Sequence, residues 1–142
     1  MPFWLQHSLD HAAGGYTNCL ERDGTPFDHD KFTWMQAREL WTWSTLYTAV
    51  EARPEFLEAA HLGAEFLRLH AFDSEGRVPF AFTRDGAPLL KPRDIFSEAF
   101  LAMGMAAYAT AAKAEWAEQM SRRALDTYLR LADLPQTHDA AA

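Results

Sequence analysis

Apolar positions recur at helical spacing along most of the chain, and two short extended runs break the rhythm at Arg-Asp-Gly turns. Residues 2–12 read as a first helix carrying Phe3, Leu5 and Leu9, with Trp4 one turn from Ser8. Gly14-Gly15 ends it, because glycine tolerates the left-handed conformation of a C-cap. Residues 16–20 are extended, Arg22-Asp23-Gly24 supplies hairpin chemistry, and Pro26 and Asp28 continue the loop. The spacing then predicts a long helix over 30–52, N-capped by Asp28 or Asp30, with Trp43, Leu46, Tyr47 and Val50 on its downstream apolar face. Arg53-Pro54 breaks it, since the residue before proline is driven out of the helical region. Pro54 suits the first turn of the next helix, to His70, with Leu57, Ala60, Ala64 and Leu67 as its packing stripe. Gly63, among alanines, predicts a close helix–helix approach.

A second ribbon follows: a turn over 73–76, a strand over 78–82, the turn Arg84-Asp85-Gly86, and a return strand over 87–90. Arg93 or Asp94 opens a helix to Ala112, with Ile95, Ala99, Met103 and Ala106 along one side and Gly104 permitting close packing. The last helix covers 114–132, with Trp116, Met120, Thr127 and Leu131 on one face, and Leu134-Pro135 stops it. Residues 136–142 are polar and alanine-rich, a tail expected to fray. Two ribbon-plus-helix-pair units thus form an internal repeat, with GGYTNCLERDG and GRVPFAFTRDG as equivalents. Tandem helix pairs imply a solenoid or a closed toroid, because no pair buries its apolar face alone.

Bulk properties narrow the functional classes. At 142 residues the chain is one domain or less, and 49% apolar residues exclude disorder. A net charge of −7 speaks against a nucleic-acid partner, which needs a basic surface. No apolar run reaches membrane-spanning length. A lone cysteine, Cys19, and the absence of signal-peptide features at the start predict a cytoplasmic protein. Cys19 itself reads as a small apolar residue. His7 and His11 stand four apart without an evident third ligand, so no metal site is expected. His29, His61, His70 and His138 belong to no motif.

Aromatics are frequent, at 13%, and three of the five tryptophans sit in KFTWMQARELWTWSTLY. At about 100° per residue, Lys31, Trp34, Arg38 and Trp41 share one helical face. A planar cation between indoles suits an oxygen-rich ligand: the guanidinium donates in a fork and the rings cover C–H faces. The plainer alternative is a core helix whose arginine pairs with Glu39 or a distant acid.

Two blocks carry a resemblance. GGYTNCLERDG followed by DKFTWMQARELW, and TRDGAPLLKPRDIFSEAF further on, resemble the N-terminal part of the N-acylglucosamine 2-epimerase family. That family also holds cellobiose 2-epimerases and aldose–ketose isomerases of mannose and related sugars. Lys31, Trp34, Gln36, Arg38 and Trp41 match its pattern in order. The resemblance implies an all-α fold with short β-hairpins, an (α/α)6 barrel of which residues 1–142 form a single partial domain of two and a half helix pairs. It implies cofactor-free proton transfer through an enediolate on a monosaccharide or N-acyl amino sugar. Arg38 would be the catalytic cation, and Trp34, Phe96 and Glu98 would bind substrate. For Glu98 an alternative role is a helix-start acid favoured by the dipole. Lys31 is expected to close a helix-start ion pair, and Gln36 to be structural. The family's acid–base histidines come from later helices, so the chain is expected to be incomplete and inactive alone. Two other readings remain open: a truncated or split fragment that needs a partner or forms a homodimer, and an α/α-toroid glycoside hydrolase, for which Glu98 has no evident carboxylate partner.

Overall fold

The computed structural model describes residues 1–134, so the expected tail over 136–142 lies outside the described residues. The chain forms α1 (Pro2–His7), β1 (Cys19–Leu20), β2 (Pro26–Asp28), β3 (Lys31–Phe32), α2 (Thr33–Thr45), a π-helical turn (Leu46–Val50), α3 (Pro54–His70), β4 (Ala81–Phe82), β5 (Pro88–Leu90), α4 (Phe96–Ala112) and α5 (Glu115–Ala132). It is a mostly helical fold with short antiparallel strands. Trp34 lies beside Phe100, and Ala37 beside Gly104, so α2 and α4 run side by side in the same direction. A Cβ on Gly104 would stand 2.6 Å from the Ala37 carbonyl oxygen; the expected close approach is here. Helix α3 packs on α2, and α5 packs on α4 through the small residues Ala117, Ser121 and Ala124. Leu40, Trp43, Phe56, Leu67, Leu101 and Met105 fill the space between the helices.

The internal repeat is visible bond for bond. In the first hairpin the Glu21 N–H donates to the Thr25 carbonyl at 2.8 Å, and Gly24 to Glu21 at 2.9 Å. In the second, Thr83 donates to Ala87 at 2.8 Å, and Gly86 to Thr83 at 3.0 Å. Gly24 and Gly86 both hold φ of 92°, which side-chain-bearing residues rarely adopt. Each is covered by the histidine that ends the preceding helix, His7 over Gly24 and His70 over Gly86.

Several elements differ from expectation, each for a non-local reason. Helix α1 stops at His7 instead of continuing to residue 12. Leu9 bridges to Tyr16, and the Asp10 carboxylate accepts the N–H groups of Ala12 and Ala13 at 3.2 and 3.0 Å, which bends the backbone out of the helix. Pro26 to Asp28 is the return strand of the first hairpin, not loop. Lys31 and Phe32 are not helical; they pair with Phe82 and Ala81 and tie the first repeat to the second. Helix α2 therefore starts at Thr33, without an Asp28 or Asp30 cap; the Thr33 hydroxyl donates to the Pro79 carbonyl at 2.5 Å. Gly63 receives the Tyr16 ring rather than another helix. On α4 the side bearing Met103 and Ala106 is exposed, and Leu101, Ala102, Met105 and Tyr108 face the core. That helix is apolar nearly all round, so its pattern gives no direction.

The strand position of Lys31 creates the polar centre of the fold. Its ammonium is buried and donates to Asp10 Oδ2 at 3.0 Å, to the Gly14 carbonyl at 2.5 Å and to the Arg84 carbonyl at 2.9 Å. The Phe66 ring lies under it at 4.6 Å. Arg84 closes the group with two bonds to Asp10, Nε to Oδ2 at 2.9 Å and Nη2 to Oδ1 at 3.0 Å. Burial alone would raise the Asp10 carboxyl, but Arg84, Lys31 and the Ala13 N–H hold it well below the usual carboxylate range. Lys31 does enter an ion pair, but a buried one that ties β3 to the loop after α1 and, through Arg84, to the turn of the second hairpin.

Asp10→Ala leaves the Lys31 charge buried beside carbonyls alone, and is expected to lower stability by about 3–5 kcal/mol. Arg122→Ala, which removes the exposed pair with Glu118, is expected to cost under about 1 kcal/mol. Urea denaturation of the two variants measures the contrast. Because folding lowers the Asp10 value, its contribution is complete above the ordinary carboxylate range. It is lost as pH falls below about 4 toward the folded value. Asp10→Ala should accordingly show a flatter acid limb in a stability-versus-pH profile.

Candidate active site

Helix α2 is fixed in rotation by its buried face. Gln36 is fully buried and acts as a backbone substitute: its Oε1 accepts the Tyr16 N–H at 2.9 Å. Its Nε2 donates to the Tyr16 carbonyl at 2.6 Å and to Asn18 Oδ1 at 2.7 Å. Gln36 thus anchors the Gly14-Gly15 loop and the strand after it, a structural role. Ala37 and Leu40 turn into the core on the same side.

The opposite consequence is that Trp34, Arg38 and Trp41 face outward together. Trp34 is 36% exposed and Trp41 42%, high values for indoles on a packed helix. Among the described residues no ion pair includes Arg38. Glu39, the neighbour that could have paired with it, instead meets the Ser8 hydroxyl at 2.5 Å and the Trp43 indole N–H at 3.1 Å. Lys31 does not share this face, because it belongs to β3.

The surface continues onto α4. The Trp34 and Phe100 rings lie 6.1 Å apart, and Phe96 precedes Phe100 by one helical turn with 60% exposure. Met103 extends the row, also exposed. Trp34, Arg38, Trp41, Phe96, Phe100 and Met103 therefore form one aromatic and apolar surface with a single cation. Phe100 was missed as a site candidate, although its four-residue spacing from Phe96 was a readable signal.

Glu98 stands apart. It is fully buried, and its Oε1 accepts Arg77 Nε at 2.7 Å and the Val78 N–H at 3.2 Å, while Oε2 has no hydrogen-bond partner among the described residues. Arg77 also donates to the Asp94 carbonyl at 2.9 Å, so this pair clamps the second ribbon to the start of α4. Structurally, Glu98 stands behind the α4 N-terminus and is not part of the open surface.

The cavities among the described residues lie elsewhere. A groove of about 530 Å³ runs between Tyr47, Pro54, Leu57, Glu58, His61 and Tyr108, where His61 Nδ1 meets the Tyr108 hydroxyl at 2.8 Å. The α2–α4 surface is an open wall rather than an enclosed pocket. Among the described residues, no three His, Cys, Asp or Glu side chains lie together to hold a metal ion. No helix there is long and apolar enough to cross a membrane.

Known proteins share this architecture. The cellobiose 2-epimerase of Spirochaeta thermophila superposes with a TM-score of 0.81 at 29% identity, over 91% of this chain and 32% of that one. A sugar epimerase from a ruminal bacterium superposes at 0.79 with 25% identity, over 88% of this chain and 32% of that one. These neighbours are (α/α)6 barrels, so the chain has the fold of about a third of such a barrel. By sequence, the N-acylglucosamine 2-epimerase of Mus musculus is 43% identical over 107 residues, which is 72% of this chain and 26% of the mouse protein. The cellobiose 2-epimerase of Bacteroides fragilis is 29% identical over 110 residues, 76% of this chain and 28% of that protein. The chain thus spans about a quarter of the length of the curated relatives it matches. With residues 14–140 matching the family profile, this chain belongs to the N-acylglucosamine 2-epimerase (GlcNAc 2-epimerase) family.

Proposed function

We propose that this chain supplies part of the substrate wall of a sugar 2-epimerase or aldose–ketose isomerase, with Arg38 as its electrostatic catalyst. The observation that carries this reading is a cation with no ion-pair partner among the described residues, set between two exposed indoles on one helix. Either reaction removes a proton from the carbon beside a carbonyl and moves the electron pair onto the carbonyl oxygen. The proton then returns to the same carbon from the other face, or to the neighbouring one. An enediolate lies between, and its developing oxyanion is what a fixed guanidinium stabilises. Arginine stays protonated, so it serves as a hydrogen-bond donor and not as the base. Trp34, with Phe96 and Phe100 alongside, offers ring faces to the C–H face of the sugar. Glu98 acts from behind by holding the α4 start that carries Phe96. The substrate class is a monosaccharide or N-acyl amino sugar. The acid and base are not assigned; among the described residues His7 and His70 cover hairpin glycines and His61 meets the Tyr108 hydroxyl.

A second reading draws on the same surface. Trp34, Trp41, Phe96 and Met103 form an exposed apolar patch of the kind that seeks a cover, and in the isolated chain a second copy is one such cover. The glycoside-hydrolase alternative needs two open carboxylates on this wall, and Glu98 is engaged with Arg77 and Val78.

Arg38→Ala in the full-length polypeptide that carries this chain is expected to cut turnover at least tenfold, which is about 1.4 kcal/mol of transition-state stabilisation, with unchanged circular dichroism. Trp34→Ala is expected to raise KM more than it lowers kcat. Steady-state assays of epimerisation and isomerisation measure both, and unchanged turnover in Arg38→Ala removes Arg38 from the mechanism. Sedimentation of the isolated chain tests the second reading: a dimer that Trp34→Ala dissociates supports it, and a monomer at all concentrations rejects it.

A further inference from the structure

At the far end of α2 and α4 from the sugar wall lies a groove that the proposed reaction does not use. Phe96 opens α4 and Ala112 closes it, about 24 Å further along the axis. Ala112 lines the groove, together with Tyr47 from the end of α2 and Pro54, Leu57, Glu58 and His61 from the first half of α3. The local backbone is unusual. Helix α2 runs into the π-helical turn Leu46–Val50, closed by the Glu51 N–H on the Leu46 carbonyl at 2.9 Å. Glu51 and Arg53 are extended, and α3 begins only at Pro54. Turns of the π type are rare and occur often at functional sites.

At about 530 Å³ the groove falls in the size range of small-molecule sites, which combine mostly apolar walls with a few polar groups. Tyr47, Pro54, Leu57 and Ala112 supply the apolar walls. Glu58 and His61 supply the polar groups, one helical turn apart on α3. His61 Nδ1 stands 2.8 Å from the Tyr108 hydroxyl, so α4 holds that imidazole in place. Glu58 is exposed and, among the described residues, enters no ion pair. The cations near it in the fold are engaged elsewhere. Arg53 pairs with Glu55 and lies over the Phe56 ring, and Arg68 pairs with Glu65 and lies over Trp116. Lys113 is exposed at the left-handed cap of α4 and is not one of the residues that line the groove. The carboxyl ends of α4 and of the turn after α2 add partial negative charge here, against the amino end of α3 alone.

We propose that this groove binds a small arylalkyl ammonium ion, with its ring against Tyr47, Pro54 and Leu57 and its ammonium donating to the Glu58 carboxylate. An aromatic body matches the ring and proline walls. An ammonium gives the carboxylate a charge-assisted hydrogen bond and gains from the face of the Tyr47 ring. A neutral molecule of the same shape forgoes both gains, and an anion is repelled by Glu58. The site is separate from the α2–α4 wall and does not depend on the role of Arg38.

An NMR titration of the whole chain with phenethylammonium chloride tests this, at about pH 8, where an ordinary imidazole is neutral. Phenethyl alcohol, which lacks the charge, and phenylpropionate, the anion, are the comparison ligands. The expected result is a saturable shift of the Tyr47 and Tyr108 ring protons and of the His61 imidazole. The alcohol should bind about tenfold more weakly, and the anion should leave these signals unmoved. Glu58→Gln should keep its circular dichroism and weaken phenethylammonium about tenfold, to the level of the alcohol. Equal affinity for ammonium and alcohol overturns the site, as does unchanged affinity in Glu58→Gln or a failure to saturate at millimolar ligand. Shifts confined to the Trp34 and Trp41 indoles also overturn it, because they put the amine on the sugar wall. If Glu58→Gln fails to fold, the ranking of the three ligands on the wild-type chain decides alone.

Discussion

A lysine ammonium buried between the loop after α1 and the turn of the second hairpin has to be neutralised where it stands, and in this chain Asp10 is the group that does it. The Asp10–Lys31–Arg84 cluster joins the loop after α1, the strand before α2 and the turn of the second hairpin. Each partner comes from a different repeat or a different side of one, so the cluster sets how the repeats meet. It makes residues 31–32 a strand, and that strand fixes where α2 begins. The residues that follow count their helical phase from Thr33, which determines what α2 buries and what it leaves out.

Gln36, Ala37 and Leu40 take the buried phase, and Trp34, Arg38 and Trp41 are left outside. Gly104 then lets α4 lie against the Ala37 backbone, which brings Phe100 to Trp34 and carries the open surface across to Phe96. Glu98 and Arg77 support that surface from behind. The site is thus a consequence of packing on its far side: the more firmly the hub and Gln36 hold α2, the less freedom Arg38 has to find a counter-ion.

Much of this was legible in the chain because its signals are local. Pro54 placed the start of α3 to the residue, the two Arg-Asp-Gly turns announced the repeat, and Gly104 marked a helix contact that is present. The exposed triad on α2 was readable from spacing, and the family from two motif blocks. What failed depended on distant partners. Lys31 falls at helical spacing from Trp34, yet its strand pairing lies with Phe82, fifty-one residues later. Glu98 does stand in the first turn of α4 as read, but its pairing with Arg77 from the preceding ribbon was not legible. Helix α4 has apolar residues on every side, so only the approach of Ala37 chooses its inner face. The Ser8–Glu39 contact spans thirty-one positions, and nothing local announces it.

The central claim is that the fold presents Arg38, which has no ion-pair partner among the described residues, to a sugar. The most direct measurement is a titration of the ¹⁵N-labelled full-length polypeptide with N-acylglucosamine and with mannose, following the Arg38 Nε–Hε resonance assigned by its loss in Arg38→Lys. The account predicts a saturable shift of that resonance with one of the sugars, accompanied by shifts of the Trp34 and Trp41 indole N–H signals. An Arg38 resonance that stays fixed while either sugar binds elsewhere contradicts it.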